Sequence, residues 1–464
     1  MTGTWANALW ETAPRAQIEA ASTARAIQVI GEAYQRVPFY RWFYDRAGLR
    51  PGRLRTLADV RREVPFVTKA DLLEFQGTAG WPGLDQAGVR QFHLTSGTSG
   101  AGREFHVRDQ SDLAALGTGG AYSLLWAGLR PGERLLLTIP YSQTMAGPYF
   151  QAACEAAAVV PVNGFALDSA ARIDALRTYR CAAISLTPSH LHRLTVLTRQ
   201  RGVEPARDLP DLRSIILSGE SYGLQWAERM QAWWGARVYE GWGATQTMSV
   251  AMATCPLGAV VSDPAGVRRG TLHGLDHRCL VEVLGPGDEP AEPGQYGELV
   301  VTTLRVSAMP CIRFRMGDQV RRHPREHCDC GRPFSTYEAG SISRIDDMMK
   351  VRGMNIWPAA VDSAVFGVPS VTDYRGRLFT DDDGREQMLL EIETPADGPA
   401  DEPAGEALEH LLATRVKTVA GITPLVRVLS TGAIGEPMLN TTGSFKARRW
   451  TDQRLAQLDG GADE

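Results

Sequence analysis

Apolar residues first recur at helical spacing in residues 17–37, where Ile27, Ile30 and Tyr34 share one face and Pro38 ends the pattern. From about residue 134 the pattern becomes an alternation. Short apolar runs at 134–139, 159–162, 182–186 and 214–217 predict strands, and the stretches 151–158, 169–179 and 224–234 predict helices. Apolar strands separated by amphipathic helices imply a largely parallel sheet covered on both faces. The runs 279–284 and 297–303, with Gly and Pro between them, predict an antiparallel or barrel-like section. Beyond residue 345 the pattern predicts a small α+β unit, with a strand at 388–392, a helix at 406–419 and a strand at 424–429. Residues 394–405, rich in Pro, Ala, Asp and Gly, predict a surface loop. The predicted class is therefore α/β. A large N-terminal domain (1–345) carries mostly parallel sheets and the barrel-like part, and a small α+β C-terminal domain covers 346–464.

Composition narrows the functions open to such a fold. The chain has 464 residues, 44% of them hydrophobic, enough for one large core and a smaller one. Its 49 basic and 53 acidic residues leave a formal charge of −4, which argues against nucleic acid or a membrane surface as the main partner. No apolar run approaches the ~18–20 residues of a spanning helix. Seven cysteines are too few and too scattered for a disulfide framework, so a reducing cytoplasm is expected. Only four of the 49 basic residues are lysines: Lys69, Lys350, Lys417 and Lys446. A lysine kept in so arginine-rich a chain is a candidate for chemistry that needs a compact ammonium.

The stretch TSGTSGAGRE, Thr95 to Glu104, combines turn-permitting glycines with hydroxyls, a loop able to wrap donors around phosphate oxygens. Gly97 and Gly102 have Walker spacing, but Arg103 and Glu104 stand where Lys and Ser/Thr are needed, so the P-loop reading fails. Four further segments follow in fixed order: YEGWGATQ (239–246), IRFRMGDQV (312–320), SRIDDMMKVRGMNIWP (343–358) and NTTGSFKARR (440–449). Together they resemble the acyl-adenylate-forming ligases. RVPFYRWFYDRAGL (36–49), VPFVTKADL (64–72), LTPSHLHRL (186–194) and GELVVTTL (297–304) narrow the resemblance to the phenylacetate–CoA ligase-like branch, over nearly the whole chain.

That resemblance implies ATP-dependent activation of a carboxylic acid. An acyl-adenylate and pyrophosphate form first, and the thiol of coenzyme A then displaces AMP. It implies Lys446 as the adenylation lysine, bridging carboxylate and α-phosphate. Thr95, Ser96, Gly97, Thr98, Ser99 and Gly100 would hold phosphates, Trp242 and Gly243 would lie beside adenine, and Thr245 would reach the α-phosphate. Asp318 would bind both ribose hydroxyls and Arg344 the AMP phosphate or ribose. Asp346 matches the hinge about which the C-terminal domain is mobile, and Lys350, Arg352 and Gly353 the face presented for thioester formation. Ser343 replaces a usual glycine, which would stiffen that hinge. Gln246 stands where the family commonly has a glutamate ligand of Mg²⁺. A neutral amide there predicts a weaker magnesium dependence, restored by Gln246→Glu.

Some members of the branch bind zinc, and Cys255, His273, Cys328 and Cys330 would make a closed structural site, with His277 or His327 as substitutes for His273. Cys154, Cys181, Cys279 and Cys311 read as core thiols, with a ligand role left open for Cys311. By the same resemblance the acid pocket would be lined by Tyr141, Met145, Ser218, Gly219, Glu220, Ser221, Trp242 and Ala244, a wall suited to a small aromatic acid. Glu220 would hold an amino or hydroxyl group on the ring, or cap the helix that follows it. PYSQTMAGPYF (140–150) replaces a usual glycine-rich segment, pointing away from phenylacetate itself. Two other functions are compatible with these residues. One passes the acyl group to a carrier-protein thiol in trans, an amine or another nucleophile. The other is a non-catalytic nucleotide-binding protein, which Gln246 favours and Lys446, Asp318 and Arg344 oppose. Monomer and homodimer are both compatible with the sequence.

Overall fold

The computed structural model describes residues 6–78, 88–95, 103–142, 144–264, 266–325, 328–345, 347–381, 383–395, 405–430, 432–434 and 449–454. Its centre is an eight-stranded sheet. In spatial order the strands are Thr336–Glu338, Thr271–Gly274, Val250–Thr254, Arg237–Gly243, Ser214–Leu217, Ala183–Leu186, Arg134–Leu137 and Val160–Asn163. The last five run parallel, and the first three add antiparallel pairing at one edge. Ala183–Leu186 and Ser214–Leu217 are buried along their whole length, which explains why they read as unbroken apolar runs.

The helices confirm the alternation, with shifted ends. The first long helix is Arg15–Arg36, and Pro38 opens the next helix, Pro38–Ala47, because a proline needs no hydrogen-bond acceptor for a missing N–H in a first turn. The helix expected at 151–158 spans Ala146–Ala156 and takes Gly147 and Pro148 into its first turn. Gln110–Trp126 is a helix that the apolar pattern did not predict. It is buried on most sides, between the sheet and Ala146–Ala156, so it has no polar face to set a period. An added Cβ on its Gly120 would come within 2.4 Å of Ala153 Cβ, so the glycine permits close helix packing.

The antiparallel section is an open four-stranded sheet, with Cys279–Leu284 and Ser343–Arg344 at its edges and Tyr296–Thr303 and Phe314–Arg321 between them. Val29, Ile30, Tyr40 and Tyr44 of the first helices pack with Leu299, Val301 and Phe314 of this sheet. The C-terminal part has a four-stranded mixed sheet, Leu425–Leu429, Glu386–Glu393, Asp373–Thr380 and Trp450–Asp452, covered by Pro358–Val365 and Glu406–Ala420. No helix among the described residues is long and apolar enough to cross a membrane.

Candidate active site

The parallel strands end on one side of the sheet, and a cavity of about 1440 Å³ lies there. Open α/β sheets commonly hold ligands at the carboxyl ends of their strands. Ser142 and Thr144, Pro188 and Ser189, Ser218–Tyr222 and Trp242–Gln246 line it, each just beyond or at the end of a strand. Asp318 and Arg344 enter from the antiparallel sheet, and Trp357, Asp362, Phe366, Arg449 and Trp450 from the C-terminal part.

Asp318 follows Gly317, whose φ of +67° places a left-handed residue inside the strand. The pairing register shifts there, opposite Glu298–Val300, so the strand bulges and turns Asp318 toward the cavity. Asp318 is in register with Arg344, whose guanidinium lies 3.6 Å from its carboxylate and also donates to Met316 O at 3.0 Å. Ser343 Oγ accepts from Gln319 Nε2 at 3.1 Å.

Trp242 is buried, lines the cavity and also packs in the core. Gly243 is required by close approach, since a Cβ there would meet Ser249 O at 2.6 Å. Thr245 is buried and its hydroxyl accepts from Met145 N at 3.5 Å. Gln246 lines the cavity and its side-chain amide donates to Glu104.

Glu104 and Arg108 were not singled out as site residues by sequence. The strands Val89–Leu94 and Phe105–Asp109 form an antiparallel hairpin, closed by Thr95 N donating to Glu104 O at 3.0 Å. Ser96, Gly97, Thr98, Ser99 and Gly100 lie outside the described residues, but both feet of their loop, Thr95 and Arg103–Glu104, line the cavity. Glu104 is 1% exposed and accepts from Thr95 Oγ1 at 3.0 Å, with Lys69 Nζ at 3.5 Å. Arg108 is fully buried and donates to Thr245 O at 2.7 Å, while Cys311 Sγ donates to Gln246 O at 3.4 Å. Cys311 thus serves the loop as a thiol, its pKa pushed up to about 12 by burial.

Of the expected acid-pocket residues, Met145, Ser218, Gly219, Glu220, Ser221, Trp242 and Ala244 line the cavity. Tyr141 does not. It is 67% exposed, and Gly147 packs against its main chain (a Cβ there would lie 2.6 Å from Tyr141 Cα). Tyr149 and Phe150 of that helix line the cavity instead, as do Ser123, Met248 and Val250. Ser123 Oγ and Tyr149 OH are 3.0 Å apart, and burial pushes the Tyr149 phenol well up, so it stays a donor. Glu220 accepts from Ser189 N at 3.0 Å and from the Ser189 hydroxyl. It therefore serves the first turn of the preceding helix Pro188–Gln200 rather than the helix after it.

Lys350, Arg352 and Gly353 sit on the exposed hairpin Met349–Val351/Met354–Ile356 and are not brought to the cavity. Arg352 has a φ of +49° and its N–H donates to Glu386 Oε2 at 2.5 Å. Asp346 and Lys446 lie outside the described residues. Arg449, three residues beyond Lys446, is on the cavity wall. Its guanidinium lies 3.3 Å from Asp373, donates to Ser189 Oγ at 3.1 Å and covers the Phe366 ring at 5.0 Å. Nearby, burial pushes the Asp362 carboxyl up to about 6, against the pull of Arg449 and of the Tyr374 hydroxyl at 2.6 Å.

Cys255, His273, Cys328 and Cys330 meet on the far edge of the main sheet, with one ligand atom from each within 4.8 Å of all the others. Cys255 and Cys328 sulfurs are 3.8 Å apart, and Cys330 Sγ lies 3.4 Å from His273 Nε2. Burial works against a charged His273, but the thiol contacts win and raise it to about 9. Three sulfurs and one imidazole at this spacing fit tetrahedral zinc. His277 stands apart, hydrogen-bonded to Tyr122 OH at 3.1 Å and stacked on Trp10, and His327 lies outside the described residues. Cys154, Cys181 and Cys279 are buried free thiols.

Residues 89–309 match the AMP-binding enzyme family. The chain is 30% identical over 441 residues to phenylacetate–coenzyme A ligase of Thermus thermophilus, covering 91% of this chain and 94% of that one. A crystal structure of 2-hydroxyisobutyryl-CoA ligase in the postadenylation state, in complex with 2-HIB-AMP, superposes with a TM-score of 0.81 at 25% identity, over 97% of this chain and 93% of that one. The same ligase with 2-HIB-AMP and CoA in the thioesterification state gives 0.65 at 26% identity, over 98% and 94%. The chain belongs to the acyl-adenylate-forming ligase superfamily, in its phenylacetate–CoA ligase-like branch, and is an AMP-forming acid–CoA ligase.

Proposed function

We propose that the protein activates an aromatic carboxylic acid with ATP and transfers the acyl group to coenzyme A. The observation that carries this reading is one cavity lined by two chemically different sets of residues. The Asp318–Arg344 pair, Thr245 and the feet of the 95–104 loop are polar, and Tyr149, Phe150, Trp242 and Met248 are largely apolar. An acid seated on the aromatic side chains would offer its carboxylate to the polar set. A carboxylate oxygen then bonds to the α-phosphorus while the bond to pyrophosphate breaks, and Lys446 neutralises the charge that moves. In the second step the thiolate sulfur bonds to the acyl carbon and the acyl–AMP bond breaks. The hydroxyl pair Ser123–Tyr149 on the cavity wall suits a ring bearing a hydroxyl or amino group.

The residues 346–464 act as a separate domain in this reading. They rotate about Asp346, carrying Lys446 to the cavity for the first step and the Lys350–Gly353 hairpin for the second. The higher TM-score against the postadenylation state supports an arrangement suited to the first half of the cycle. Mg²⁺ would accompany ATP and stabilise its phosphates. Zinc at Cys255, His273, Cys328 and Cys330 would tie the strand ends together, away from the chemistry.

Carboxylate-dependent ATP–pyrophosphate exchange over a panel of aromatic and aliphatic acids tests the reading. Exchange is expected with substituted aromatic acids and not with short aliphatic ones. Preference for an aliphatic acid would refute the aromatic assignment, and absence of exchange with every acid would refute ATP-dependent activation.

A further inference from the structure

Gln246 is neutral where a carboxylate was expected, yet a buried carboxylate lies in contact with it. Glu104 is 1% exposed, lines the same cavity, and receives the Gln246 side-chain amide on Oε1. Its other oxygen takes the Thr95 hydroxyl at 3.0 Å and faces Lys69 at 3.5 Å. The carboxylate is therefore held on three sides. Only the nitrogen of an amide can meet a carboxylate oxygen favourably, so this contact fixes which way the Gln246 amide is turned. Its carbonyl oxygen is left available, next to Thr245 and the feet of the phosphate-loop hairpin. Arg108 and Cys311 fix the main chain beneath it by binding Thr245 O at 2.7 Å and Gln246 O at 3.4 Å.

We infer that Glu104 and Gln246 work as a unit toward the divalent cation of the nucleotide. Gln246 offers the oxygen, and Glu104 orients the amide and polarises it by accepting its N–H. A hard cation favours oxygen donors, and a carboxylate bonded behind a neutral ligand raises that ligand's basicity. The charge that the family places on the ligand itself is here one residue further back. Glu104 is a positioning residue, and this inference rests on the ATP-dependent reading above. It also changes one expectation. Gln246→Glu alone sets two carboxylates in contact and does not strengthen the metal site, whereas the exchanged pair Glu104→Gln/Gln246→Glu does.

The test is a titration of Mn²⁺ into the full chain with saturating ATP and no acid, followed by electron paramagnetic resonance. ATP affinity in EDTA is measured alongside. Glu104→Gln is expected to weaken Mn²⁺ binding about 10–100-fold, as loss of an outer-shell partner does, and to change metal-free ATP affinity far less. Gln246→Leu, which keeps Glu104 and the volume, is expected to lose Mn²⁺ similarly. The exchanged pair is expected to recover most of the affinity that Glu104→Gln loses. Unchanged Mn²⁺ affinity in either single variant, or no recovery in the exchanged pair, overturns the inference. If the unaltered chain fails to bind ATP in EDTA and in Mn²⁺ alike, the nucleotide reading falls first and takes this inference with it.

Discussion

The strand-end wall of the cavity is fixed by main-chain pairing, whereas the wall from Trp357 to Trp450 meets it chiefly through side chains. Arg237–Gly243 is hydrogen-bonded along both edges, to Ser214–Leu217 and to Val250–Thr254. The opposite wall is joined to it by Arg449 on Ser189, Arg229 donating to Phe366 O, and the His192 and Phe366 rings at 4.8 Å. Moving a paired strand would break several hydrogen bonds at once, at about 1 kcal/mol each or more. Moving the second wall breaks a few polar contacts whose groups regain water, and parts an apolar cluster in which Trp226 and Phe366 both lie. On the proposed function the first wall stays and the second is the one that leaves, as the ligase compared above has been captured in two states.

The largest expected difference between the walls is chemical. Lys446→Ala should lower ATP–pyrophosphate exchange about 10²–10³-fold, the loss typical of a removed charge-stabilising group. Thioester formation from a supplied acyl-adenylate should be spared. Equal loss in both steps would mean that the lysine belongs to the fixed frame.

The next effect should fall on the fixed wall and be indifferent to the step. Chelation, or Cys330→Ser, should release about one zinc per chain and lower the melting temperature by several degrees, with both half-reactions reduced alike. Metal analysis and calorimetry check this. A full-length chain with no zinc and an unaltered melting temperature would retire the metal site.

Arg449→Met should loosen the second wall and slow adenylation several-fold more than thioester formation. The same cluster gives a pH signature. Asp362 has an ordinary carboxyl value of 3.8 unfolded and about 6 folded, where burial, Glu220 and Asp373 raise it and Arg449 and the Tyr374 hydroxyl lower it. Folding therefore retains a proton between those values. Its stabilising contribution is complete below about pH 4 and is lost as pH rises through 6. Asp362→Asn should flatten that slope in melting temperatures taken at pH 4.5 and 7. An unchanged slope would show that Asp362 is not the group retaining the proton.

The smallest expected effect lies inside the fixed wall. Tyr149→Phe should raise KM severalfold for a ring-hydroxylated or amino acid, with little change for the unsubstituted one. Equal effects on both would remove Tyr149 from recognition.

Motifs that owe their composition to a ligand were legible in the sequence. Trp242, Thr245, Asp318 and Arg344 were assigned from motif order and all line one cavity. The four candidate zinc ligands were picked from three separate segments and converge. A buried group whose contact is with another side chain far along the sequence was not legible. Glu104 looked like a failed Walker serine, and its partner Gln246 is 142 residues away. Tyr141 failed for a different reason. Apolar pattern locates a strand's end but not which side chain of the following turn faces inward, and Tyr141 lies 67% exposed. The helix Gln110–Trp126 was invisible because burial on most sides erases the amphipathic period.

Arg108 has a practical consequence for anyone redesigning the acid specificity. Its guanidinium joins the Phe105–Asp109 strand to the Thr245–Gln246 main chain, across 137 residues of sequence, and is fully buried. Loop and hairpin are thus one transplantable part. A chimera that exchanges residues 242–248 alone would inherit a buried cation aimed at carbonyls in the wrong place. One that carries the hairpin with the loop would keep the part whole.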